Sequence, residues 1–106
     1  GYKVHIIPFK KSNYTVRVTY KINTVYTDSQ TAQNTINSVL VNNLNKQVHI
    51  DYVRENEIYT VLESADIVGT DILNVDLLVN GVEVPYLHVP VSNIPFLSEV
   101  IFLEVM

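Results

Sequence analysis

The sequence predicts an α+β fold, mostly β, in which a twisted antiparallel sheet or small β-sandwich carries one α-helix over about residues 28–44. Three observations predict it. Between residues 27 and 45, Ala32, Ile36, Val39, Leu40 and Leu44 recur at three- and four-residue spacing, which on a 3.6-residue period makes one buried stripe. On both sides of that stretch apolar and polar residues alternate with period two, as half-buried strands do. Asn80-Gly81 stands between the runs 74–79 and 82–84, and both residues tolerate the positive φ of a two-residue hairpin turn.

At the helix start, Thr27 and Gln30 have capping-box spacing, and Asp28 adds a negative charge to the first turn. Its regular turns are expected to stop near 41–44, with an Asn in left-handed conformation closing them. Residues 29–45 carry no charge, so the outer face is Gln, Thr, Asn and Ser only. That reads either as the Asn-leaning composition of the whole chain or as a face that meets another subunit, where charge is depleted. Gln33 lies on this face, and its truncation is expected to cost almost nothing.

The remaining elements follow in order. Residues 2–8 alternate and stop at Pro8, which suits a first strand, and 9–13 read as a turn. In 14–26, Val16, Val18, Tyr20 and Ile22 point one way while Arg17, Thr19 and Lys21 point the other. Runs 47–53 and 58–62 read as strands joined by the polar turn 54–57, and 67–70 fits a short strand or a loop. Pro85, Pro90 and Pro95 exclude a central strand between them and leave an edge strand or an extended arm. The closing run, Val100 to Leu103, is apolar on both faces and predicts a strand buried on both sides.

With 106 residues the chain supports a single β-rich domain, 1–106. Its 47% hydrophobic content excludes disorder, and no apolar run approaches the twenty residues of a membrane helix, so no membrane partner is expected. The first residue is Gly, which fits a tag remnant, a processed terminus or an excised fragment. A net charge of −4 argues against a nucleic-acid partner. Charge is also divided: Lys3, Lys10, Lys11, Arg17 and Lys21 precede every acid, and the rest of the chain sets 11 acids against Lys46 and Arg54. Such a division serves cross-strand pairing within a subunit or basic-to-acidic stacking between subunits.

No catalytic constellation is legible. There is no Cys, no serine stands in a nucleophile-elbow pattern, and no glycine-rich loop could cradle a phosphate. Glu55 and Glu57 read as solvated turn charges beside Arg54. His5, His49 and His88 each sit inside a strand without a second ligand at metal spacing, and are expected to be half-exposed. Neither an enzyme activity, a cofactor nor a metal site is expected. The seven tyrosines could line a peptide or glycan groove, although Tyr in strands is ordinarily a β-former at the edge of a core.

In architecture and in its charge-poor, Asn- and Val-rich composition, the chain resembles subunits of phage tail tubes and of virion neck or decoration proteins. The two-strands-then-helix beginning also suits a ubiquitin-like roll. The virion resemblance implies a structural subunit that associates with copies of itself or with other structural subunits. The apolar side chains of the proline-punctuated segment, Tyr86, Leu87, Val89, Val91 and Ile94, are the interface it nominates, with wrapping of the domain's own core as the competing role. The other class to weigh is an extracellular peptide- or glycan-binding module.

Overall fold

The computed structural model describes residues 10–45 and 51–106, and confirms an α+β architecture. In chain order it forms β1 (Lys10–Ile22), α1 (Ser29–Leu44), β2 (Tyr52–Arg54), α2 (Glu55–Ser64), β3 (Thr70–Val79), β4 (Val82–Val84), β5 (Tyr86–His88) and β6 (Asn93–Glu104). The main sheet has the order β4-β3-β1-β6, and β2 with β5 makes a separate two-stranded ribbon. β1 runs antiparallel to β3 and parallel to β6. The expected strand over 2–8, and most of the one over 47–53, fall outside the described residues.

The alternation in β1 does what period two requires. Tyr14, Val16, Val18 and Tyr20 are all buried, while Arg17 and Thr19 between them face the other side. The strand begins earlier than the expected turn at 9–13 allows, because Lys10 to Tyr14 already pair with β6. It also ends earlier: Ile22 is its last residue and the chain turns at 24–26. There Gly69 approaches so closely that a Cβ would lie 2.9 Å from Tyr26 Cβ, and its φ of +64° suits glycine.

Against this inner face α1 lays Ala32, Ile36, Leu40 and Leu44, the predicted stripe. Its N-cap is Asp28 and not Thr27: Asp28 Oδ1 accepts from Thr31 N at 2.7 Å, which holds the carboxyl below its usual range. A carboxylate both accepts the orphan amide and opposes the positive end of the helix, so it displaces the hydroxyl one residue earlier. The C-cap, Asn45, is right-handed with φ −79°, in place of the expected left-handed stop, and its side chain accepts from Leu97 N at 2.9 Å. Gln33 is half-buried and donates to the hydroxyl of fully buried Tyr20 at 2.9 Å, so it is not a free surface residue.

The largest correction is a second helix. Residues 55–64, expected as the end of a turn plus a strand, form α2, so the described residues hold two helices and not one. Ile58 and Leu62 lie four apart and enter the same core while Thr60 between them is exposed, as on a helix; a strand would turn all three to one face. Glu55 and Glu57 occupy its first turn, where negative charge is favourable, and Tyr59 donates to Glu63 one turn on at 2.7 Å. Ile58, Thr60 and Val61 are β-branched and Tyr59 is aromatic, all residues that favour a strand when only local preference counts.

Asn80 and Gly81 take φ values of +52° and +78°, the expected hairpin between β3 and β4. β6 departs from its expected place. Val100 and Phe102 pack against the core, but among the described residues β6 is an edge strand, and Leu103 on its other face is 45% exposed. An extra residue, Ser98, interrupts its register with β1.

Two substitutions test this packing by urea unfolding. Leu40→Ala should cost about 2–5 kcal/mol by opening a cavity in a fully buried site. Gln33→Ala should cost about 1–3 kcal/mol, because it strips the partner from the Tyr20 hydroxyl.

Candidate functional site

The proline-punctuated segment is divided by the pleat. Val89 is buried in the core and Leu87 packs against it, whereas Tyr86 is 54% and Val91 94% exposed, and Ile94 is half-buried at the start of β6. Backbone bonds tie the segment to its own domain: Val89 N donates to Asp51 O, and Glu55 N donates to Pro85 O. Of the five nominated interface residues, Tyr86 and Val91 therefore offer open surface.

The ribbon β2–β5 brings together a group that the sequence did not single out. Tyr52 stands opposite His88, and Arg54 opposite Tyr86, so all four project from one face while Val53 and Leu87 point inward. The Tyr52 and Tyr86 rings meet edge to face at 5.5 Å between centroids, and the His88 ring lies 5.2 Å from Tyr52. The Arg54 guanidinium sits 5.3 Å over Tyr52 and reaches Glu57 at 3.7 Å. Beside Tyr86 a groove of about 260 Å³ is lined by Arg54, Glu55, Asn56 and Pro85. Only Tyr86 among these had been nominated from sequence, because the pairing of 52–54 with 86–88 is long-range. His88 is exposed, as a strand position facing outward should be, and His5 and His49 lie outside the described residues.

A second cluster joins Glu55, Asp76 and Glu83, whose carboxylates approach within 4.8 Å of one another. Glu55 and Glu57, expected as neighbouring turn charges, are thus separated by α2: Glu57 stays outside and Glu55 turns to β3. Each member of the cluster has a structural engagement. Glu55 Oε2 accepts from Leu77 N at 3.0 Å, and Asp76 accepts from Arg17 at 2.9 Å and from Asn74 at 3.1 Å. Arg17 also reaches Glu83 at 3.7 Å. The charge of Asp76, reinforced by a hydrogen bond between the two carboxyls and by the nearby Glu55, holds Glu83 above its usual range although Arg17 pulls the other way. The group works as a clasp between strands and helix.

Among the described residues, no helix is long and apolar enough to cross a membrane. In comparisons with family models, curated proteins and solved structures, nothing matches this chain.

The raised Glu83 value fixes a sign. Between its ordinary value of 4.5 and the raised one, the folded state binds more protons than the unfolded state. Stability from this group therefore falls as pH rises through that window and stays lowered at pH 7. Glu83→Gln should raise Tm at neutral pH, and the gain should vanish once pH falls below 4.5, as thermal scans at both pH values would record.

Proposed function

We propose that this chain is a non-enzymatic structural subunit that acts by associating with copies of itself or with other structural subunits, of the kind that build tail, neck or decoration layers in virions. The observation that carries this reading is the outer edge of β6. The strand is 12 residues long, and among the described residues it pairs only with β1. Soluble proteins blunt such edges with short strands, prolines, bulges or lysines. β6 has Pro95 and the extra Ser98 near its beginning, and between Glu99 and Glu104 the four residues Val100 to Leu103 carry no proline, bulge or charge. Leu103 and, beyond the strand, Val105 and Met106 are 45%, 42% and 104% exposed. A straight edge flanked by apolar side chains favours addition of a further strand, since main-chain bonds supply affinity and side chains supply register.

The carboxylate cluster supports the non-enzymatic part. Arg17 and Asn74 hold Asp76 and a backbone amide holds one oxygen of Glu55, which is the arrangement of a structural clasp more than of an acid–base pair with divided environments.

Light scattering after size exclusion tests the assembly. At about 100 μM, far above a micromolar Kd, the chain should run as a multiple of its 12.1 kDa mass. Leu103→Lys, at a half-exposed position, should return it to 12.1 kDa with an unchanged circular dichroism spectrum. A wild-type chain that stays at 12.1 kDa at that concentration would sink the reading.

A further inference from the structure

We propose that the groove beside Tyr86 is a binding site for one ring of an uncharged saccharide, stacked on the Tyr86 face and hydrogen-bonded by Arg54, Asn56 and Glu55. This site is distinct from the β6 edge, so the proposal stands or falls independently of self-association.

The aromatic part comes first. Tyr86 is 54% exposed, and its neighbour Tyr52 meets it edge to face, an arrangement that leaves at least one face of the pair open. Both rings are held at fixed angles. Leu87 and Val53 anchor their strands in the domain core, and strand pairing sets Arg54 against Tyr86. A platform that is rigid before binding loses little side-chain entropy when a ligand arrives.

The polar part decides the ligand class. Arg54 offers only donors, Glu55 only acceptors, and Asn56 both. One oxygen of Glu55 is taken by the Leu77 amide, which fixes the carboxylate. An anionic ligand would gain Arg54 but meet Glu55 and Glu57; a cationic one would gain the carboxylates but meet Arg54. A proline-rich peptide would use the ring and offer carbonyls to Asn56, but its prolines bring no N–H to Glu55. A pyranose has an apolar C–H face for the tyrosine, no net charge, and hydroxyls that donate and accept together. Its size also fits: a groove of about 260 Å³ lies just under the range of small-molecule pockets, enough for one ring with the rest of the glycan outside.

The experiment is a proton–nitrogen NMR titration of the full chain with four probes: cellobiose, maltose, lactose and N,N′-diacetylchitobiose, each to about 10 mM, above the millimolar Kd of a single stacked ring. At least one should give saturable shifts centred on the amides of Arg54, Asn56 and Tyr86. Tyr86→Ala should abolish the shifts, Tyr86→Trp should preserve them, and Asn56→Ala should weaken binding about tenfold, the loss of one or two hydrogen bonds. Leu103→Lys should leave the titration unchanged. The proposal is overturned if none of the four sugars gives a saturable shift, if Tyr86→Ala binds as well as the wild type, or if an acidic or proline-rich peptide shifts the same amides more strongly than every sugar.

Discussion

The structure depends on one burial, that of the inner face of β1. Tyr14, Val16, Val18 and Tyr20 are each at most 2% exposed, and β1 is hydrogen-bonded on both sides, to β3 and to β6. A strand in this position has no freedom to slip, because a shift of one residue would send all four side chains to the wet face and Arg17 into the core. The helices cover this face, α1 lying toward β6 and α2 toward β3. Burial pushes the Tyr14 phenol well above its ordinary value, which keeps it neutral. At the other end of the stripe, the hydroxyl of Tyr20 is met by Gln33, so the aromatic ring is buried without leaving its polar tip unpaired.

Helix ends do a second job in this fold, repairing the sheet where its ladders fail. β6 carries an extra residue opposite the Tyr14/Thr15 step of β1, and at that irregularity the Leu97 amide is taken by the side chain of Asn45, the last cap of α1. On the other flank β4 ends at Val84, and the amide of its partner Leu77 is taken by Glu55, the first residue of α2. Both helices are thereby located relative to the sheet by a charged or amide group, not by apolar contact alone. Hydrogen bonds of this kind are directional where hydrophobic burial is not, and they fix the position of a helix that could otherwise slide along its stripe. Because Glu55 also lines the groove beside Tyr86, the element that positions α2 also shapes the candidate ligand site.

That ribbon shows how a three-residue strand can present an outward face. In β2 and β5 the middle residues, Val53 and Leu87, supply the anchorage, and the flanking residues Tyr52, Arg54, Tyr86 and His88 are thereby all turned outward. The aromatic face is a geometric consequence of burying the middle of each short strand. Val89 and its bond to Asp51 then secure the exit of β5.

The sequence by itself determined the features that rest on local chemistry. The stripe of α1 follows from its spacing, the two faces of β1 from strict alternation, and the β3–β4 turn from the φ tolerance of Asn80 and Gly81. Tertiary structure decided whatever needed residues far apart in the chain. α2 is a helix in spite of the strand preference of its β-branched residues: it buries Ile58 and Leu62 in the core and leaves Thr60 in solvent, a division that a strand could not make. β6 took the side of β1 that β3 leaves open, and so stands at the margin of the sheet that the described residues form. Gln33, reading as solvent-facing, gained a role from a tyrosine 13 residues earlier, and the Tyr52, Arg54, Tyr86, His88 face arose from a pairing across more than 30 residues. Periodicity reports which residues turn inward together, but the identity of what they meet is set by chain closure over long loops, and no local pattern encodes it.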